Sequence, residues 1–322
     1  MTYPQLLQAW PAFTLGGLLL LGLVVGSFLN VVILRLPRML QRQWRADCRE
    51  FLAAPAGPAA ADTGAEHAAA AAGRGSEQDS GAPRAAADSA GDEAPLNLAS
   101  PGSHCPGCGT PIAPWHNIPL LSYLLLRGRC AACARPIGLR YPAVELLGAT
   151  VALCAGLAAG SWPQLGALLL VGWTLLALAG IDIDEQLLPD DITLPLLWAG
   201  LLYHLFTGQL PLADAVLGAA AGYLLLWSIY WLFRIATGKE GMGFGDFKLL
   251  AALGAWLGWQ QLPLVILLSA GSGALIGVAL ILLQGRDRAQ PLPFGPYLAL
   301  AGWIALLWGE PLTRLYLDGA GL

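Results

Sequence analysis

"FTLGGLLLLGLVVGSFLNVVIL", residues 13–34, is a run without a single charged side chain. As a helix rising about 1.5 Å per residue it reaches roughly 33 Å, enough to cross a hydrocarbon core of about 30 Å. Only a helix or a closed barrel satisfies its own backbone in lipid, so the run reads as a transmembrane helix. It is longer than the apolar region of a secretory signal and has no basic flank before it, so no cleavable signal peptide is expected.

Comparable runs recur along the chain. They are Tyr141–Gly160, Leu165–Asp182, Leu187–Phe206, Leu212–Phe233, Phe247–Trp259, Leu262–Leu283 and Leu292–Trp308. With 56 % hydrophobic and only 12 % charged residues, the composition excludes an ordinary soluble domain. The expected fold is an all-α polytopic membrane protein with about eight transmembrane helices, the sixth short and partly re-entrant. Residues 1–34 hold the first helix, 35–140 a large loop, and 141–322 a membrane domain of about seven further helices.

Basic residues set the orientation. Eleven of the 17 Lys and Arg lie in the first loop, three more at Arg234, Lys239 and Lys248, and two at Arg286 and Arg288. All of these loops fall on one side, and only Arg314 falls on the other. The positive-inside rule then makes the first loop cytoplasmic and both termini external.

That loop divides in two. Residues 53–98 are rich in Ala, Gly, Pro, Ser and Asp, lack aromatics, and carry Thr63 as their one β-branched residue. Such a segment buries too little apolar surface to offset chain entropy and is expected to be a disordered insertion. Residues 99–140 carry two Cys-x-x-Cys knuckles, Cys105/Cys108 and Cys130/Cys133, separated by 21 residues. Four thiolates complete a tetrahedral shell around zinc, and Gly107 and Gly109 suit the tight turns. A closed shell has no open coordination position, so the expected metal is structural zinc. Thiols stay reduced in a cytoplasmic loop, so disulfides are disfavoured, and unliganded thiols or a redox pair are the competing reading. Cys48 and Cys154 are unpaired by spacing.

Carboxylates cluster where a membrane protein can least tolerate them. Between Ile181 and Ile192 lie Asp182, Asp184, Glu185, Asp190 and Asp191, without a basic residue. A second stretch, "GMGFGDFK" at 241–248, places Asp246 at the start of another apolar run. Both belong to the cytoplasmic edge, and ionisable groups at membrane depth are candidates for function. Two carboxylates sharing one site cannot both ionise easily; one keeps a proton, and the pair then serves as general base and general acid. Asp246 is one partner and an acid of 182–191 the other. Asp182 and Asp184 sit about 200° apart on a helix and cannot share a face. Asp182 lies deeper in the apolar run, while Asp190 and Asp191 stand where they would cap the fourth span. Glu145, just inside the second span, is expected to pair structurally with Arg140 or Arg35. The glycine-rich stretch follows a membrane helix rather than a strand, which excludes a dinucleotide fingerprint.

These motifs resemble those of the type IV prepilin leader peptidase/N-methyltransferase family, integral-membrane aspartic peptidases. "GSFLNVVILRLP" (26–37), the knuckles with "HNIPLLSYLLLRGRC" (116–130), "RYPAVELL" (140–147), "DIDEQLLPDDITLPLLW" (182–198), "GFGDFKLL" (243–250) and "PFGPYLAL" (293–300) carry the resemblance nearly end to end. It implies that Asp182 and Asp246 are the catalytic pair, supported by Gly243, Gly245 and Lys248. It also implies cleavage of prepilins and secretion pseudopilins after a glycine, with release of a short basic leader. For that leader Asp184, Glu185 and Asp190 would form an acidic rim. The resemblance further implies N-methylation of the new N-terminus with S-adenosylmethionine, involving Gly128 and Arg129 beside the third cysteine. The implied setting is a bacterial inner membrane, with zinc module and active site on the cytoplasmic side. The expected partners are prepilins, pseudopilins and lipid, with no nucleic acid. A proton-coupled transporter using the same aspartates is the alternative, and a zinc-stapled scaffold without catalysis a further one. The carrier reading is weakened because carriers bind near the midplane.

Overall fold

The computed structural model describes residues 2–53, 96–239, 241–284 and 292–320. The expected disorder of 53–98 and the loop bearing Arg286 and Arg288 therefore fall almost wholly outside the described residues. Within them the chain is helical: α1 Tyr3–Ala9, α2 Pro11–Ala53, α3 Leu121–Leu125, α4 Arg140–Ala158, α5 Trp162–Glu185, α6 Asp190–Thr207, α7 Leu212–Thr237, α8 Phe244–Leu257, α9 Leu262–Gln284 and α10 Gly295–Ala320. The chain divides into one unit of Met1–Pro37 with Gly102–Leu322 and another of Arg38–Pro101. In the second unit, α2 continues from Arg38 to Ala53 as an exposed, Arg-rich helix.

Each expected span corresponds to a helix. Among the described residues five are long and apolar enough to cross a membrane: α2, α4, α5, α7 and the stretch Trp259–Leu283. The expected count of eight is not reached on that criterion, and for α8, one of the three helices that fall short, the physical reason is plain. It has 14 residues, about 21 Å, and from Phe247 to Trp256 nearly every side chain is buried. A helix that is apolar all round is buried, either in protein or in lipid. Here α6, α7 and α10 pack around α8, so it needs neither lipid nor the length to span it.

Small residues set the tightest crossings. A Cβ at Gly218 would lie 2.2 Å from the Gly254 carbonyl oxygen, and one at Gly254 would lie 2.1 Å from that of Gly218. These contacts join α7 to α8. Likewise a Cβ at Gly22 would meet Ala149 Cα at 2.5 Å, and one at Gly26 would meet Glu145 Cα at 2.7 Å, joining α2 to α4. Such small-residue approaches are how helices associate in lipid, where apolar burial supplies little drive. The helix α1, not expected from the sequence, tucks Tyr3 into the bundle, where its hydroxyl donates to the Gly156 carbonyl at 2.5 Å.

Candidate active site

The two acid motifs meet at one end of this bundle. Asp182 lies in the last turn of α5, which stops where Gln186 takes a left-handed conformation (φ 51°). Asp246 lies in the first turn of α8, whose N-cap is Gly243. Asp182 is 6 % exposed and Asp246 5 %, so water screens neither. They are close enough for the charge of Asp182 to act directly on Asp246. The Gly243 N–H hydrogen-bonds the Asp246 carboxylate, and the Gly295 N–H donates to Asp182 Oδ2 at 2.9 Å.

The glycines of the second motif act by size. Gly243 is extended (φ −81°, ψ 152°), a conformation open to any residue. A Cβ at Gly245, however, would fall 2.7 Å from Leu188 Cβ, so this glycine admits the turn between α5 and α6 against α8. Lys248 holds the same junction. Its Nζ donates to both oxygens of Asp190, at 2.7 and 2.6 Å.

The acidic rim differs from expectation in its partners. Asp184 forms an ion pair with Arg140 at 2.5 Å, and Asp190 with Lys248. Asp190 and Asp191 occupy the first turn of α6 rather than its N-cap, which is Pro189. Two carboxylates there still favour the positive end of the helix. Of the two expected partners of Glu145, Arg140 is corrected. Arg140 turns to Asp184, while buried Glu145 accepts the Leu120 N–H at 2.8 Å and bonds the Ser27 hydroxyl. The reason is topological: Glu145 is the acceptor that the loop before α3 reaches, and an unmet buried N–H is costly.

The cysteine module is an internal repeat. "CPGCGTPI" (105–112) and "CAACARPI" (130–137) fold alike. Gly109 N–H bonds Cys105 O and Ala134 N–H bonds Cys130 O, both at 2.9 Å, and Gly109 and Ala134 are both left-handed. Bridges pair His104 with Pro111 and Arg129 with Pro136. The repeated Cys-x-x-Cys-x-x-Pro-Ile was the available signal for this symmetry. Gly128 and Arg129 thus open the second knuckle. Gly128 is left-handed (φ 67°), and a Cβ there would meet the Tyr123 hydroxyl at 2.8 Å.

The donor set fits zinc. The four sulfurs lie within 4.8 Å of one another, and Cys105 and Cys133 Sγ are 3.8 Å apart. A tetrahedron with Zn–S bonds of about 2.3 Å has edges of roughly 3.8 Å. Backbone N–H groups, that of Gly107 foremost, lower the Cys105 thiol, and the Thr110 hydroxyl lowers Cys108. Backbone N–H groups of Cys133 and Ala132 lower Cys130. At Cys133 the Arg135 N–H pulls downward, but Cys108, burial and the other two thiols push it up to about 11. Four sulfurs this close cannot all be anions without a cation among them.

The profile of the Bacterial Peptidase A24 N-terminal domain matches residues 20–159, and that of the Type IV leader peptidase family matches residues 169–278. A prepilin leader peptidase/N-methyltransferase of Aeromonas hydrophila is 53 % identical over 310 residues, covering 96 % of this chain and 94 % of that protein. A Pseudomonas aeruginosa protein of the same name is 50 % identical over 306 residues, covering 94 % and 93 %. One from Burkholderia pseudomallei is 46 % identical over 300 residues, covering 92 % and 86 %. No solved structure matches the chain. The transporter alternative finds no support among these relatives. The chain belongs to the type IV leader peptidase family.

Proposed function

We propose that this protein removes the leader from type IV prepilins and type II secretion pseudopilins and then methylates the new N-terminal amine. The carrying observation is the pair of buried carboxylates, Asp182 and Asp246, delivered by two separate motifs to one end of the bundle, where the charge of Asp182 bears on Asp246. Near neutral pH such a pair shares one proton. The ionised member takes a proton from water as its oxygen attacks the scissile carbonyl carbon. The protonated member gives its proton to the carbonyl oxygen. Collapse of the tetrahedral intermediate then breaks the C–N bond as the leaving amine is protonated, and no acyl-enzyme forms.

The acids Asp184 and Glu185 at the end of α5 and Asp190 and Asp191 at the start of α6 lie next in sequence to Asp182 and would supply a negative field suited to a basic leader. Arg140 and Lys248 offset part of that field and hold its acids in place. The substrate's apolar stem would remain in lipid beside the helices. The setting proposed is a bacterial inner membrane, with the dyad and cysteine module on the cytoplasmic face, as the distribution of Lys and Arg supports.

Cys105, Cys108, Cys130 and Cys133 would hold a structural zinc that supplies folding energy to the module. S-adenosylmethionine would supply the methyl group. Gly128 and Arg129, at the entry to the second knuckle, are proposed for that step; Gly128 keeps clear the space against Tyr123. The test is incubation of purified protein with a synthetic prepilin, with and without S-adenosylmethionine, read by mass spectrometry. The reading predicts loss of the leader after a glycine and one added methyl. Intact prepilin, together with proton flux through proteoliposomes, would overturn it in favour of transport.

A further inference from the structure

Asp182 stands in an awkward place for a carboxylate. It is buried in the last turn of α5, and the C-terminal end of a helix repels negative charge. What meets it is the opposite end of another helix. Gly295 is the first residue of α10, and its N–H donates to Asp182 Oδ2 at 2.9 Å across 113 residues of chain.

The first turn of α10 has few other donors to give. Pro296 has no N–H, and the N–H groups of Tyr297 and Leu298 bond the Phe294 carbonyl at 3.2 and 3.1 Å. The Gly295 N–H is left to point at Asp182. The approach is as close as it can be. A Cβ on residue 295 would lie 2.7 Å from Asp182 Oδ2, 3.0 Å from Cγ and 3.3 Å from Cβ. Any other amino acid would have to push the carboxylate aside.

We propose that Gly295 is a positioning residue for the peptidase reaction: its amide anchors one oxygen of Asp182, and its missing side chain makes room for that carboxylate. This rests on Asp182 acting as proposed above. The anchor is backbone, so it does not swing as a lysine or arginine would. It fixes one oxygen of Asp182 and leaves the other for water and for Asp246.

The test compares wild type, Gly295→Ala and Asp182→Asn for prepilin cleavage, for methyl transfer onto an already cleaved pilin, and for zinc content. Gly295→Ala is expected to lower kcat at least tenfold while KM, methyl transfer and zinc content stay within twofold. Wild-type kcat in Gly295→Ala, with Asp182→Asn dead, overturns the anchor alone. Cleavage by Asp182→Asn overturns the dyad and the anchor with it. Should Gly295→Ala lose thermal stability, the same substitution is made in Asp182→Ala. The anchor predicts that most of the loss disappears there, because the carboxylate being struck is gone. An equal drop in melting temperature in both backgrounds contradicts it.

Discussion

Lys248 Nζ reaches both carboxylate oxygens of Asp190, at 2.7 and 2.6 Å, and so ties the N-terminal part of α8 to the first turn of α6. The lysine side chain is 29 % exposed and that of the aspartate 51 %, so the pair is partly screened and contributes only about 0.2–1 kcal/mol to stability. Its value is positional: it sits two residues from Asp246. Lys248→Met is therefore expected to leave the melting temperature nearly unchanged while cutting prepilin cleavage several-fold. A large stability loss with normal kcat would reverse that assignment.

Glu145 connects the loop before α3 to the membrane helices through the Leu120 N–H at 2.8 Å. Glu145→Ala strands that part-buried donor, and the cost is expected at or below the roughly 1–3 kcal/mol of a fully buried unmet group. Glu145→Gln keeps an oxygen acceptor and is expected to lose distinctly less. Thermal unfolding in detergent checks the order, and equal losses would mean that charge, not the hydrogen bond, matters.

Zinc removal should unfold the cysteine module, and zinc uptake should depend on pH. A thiol must shed its proton to bind metal, and without metal Cys133 keeps its proton up to about pH 11. At neutral pH at least this proton is displaced on binding. Apparent zinc affinity is therefore expected to rise with pH, about tenfold per unit for each proton displaced. Titration with a competing chelator between pH 6 and 8 measures the slope. A flat profile would mean that no thiol proton is displaced, against thiolate ligation by these cysteines.

Gly128 is the residue whose substitution is expected to separate the two proposed activities. Its φ is 67°, and the Tyr123 hydroxyl lies 2.8 Å from where a Cβ would stand, so alanine does not fit. Gly128→Ala is expected to lower methyl transfer at least tenfold, by distorting the second knuckle, while prepilin cleavage is largely retained. Loss of cleavage in equal measure would place the residue in a shared structural role.

Much of this was legible in the residues. Apolar runs located the helices because lipid forces each span to satisfy its own backbone. The paired Cys-x-x-Cys and the two acid motifs stood out because thiols and carboxylates are rare in such surroundings. What stayed hidden depends on long-range contact. Nothing local in Arg140 says that it turns to Asp184 rather than Glu145. Nothing in "PFGPY" says that an amide 113 residues from Asp182 will find it. The short α8 looked like a partial span because burial in protein and burial in lipid leave the same apolar signature. The choice of Asp182 over its neighbouring acids came from family resemblance, and its depth, 6 % exposed, accords with that choice.

The most direct test of the central claim is prepilin cleavage by wild type, Asp182→Asn and Asp246→Asn in detergent, with zinc content and methyl transfer onto cleaved pilin as folding controls. Loss of one proton-transferring group typically costs about 10²–10⁴ in rate. The account predicts a loss of at least that size in both variants, with methyl transfer and zinc retained. Cleavage near the wild-type rate by either variant would contradict it.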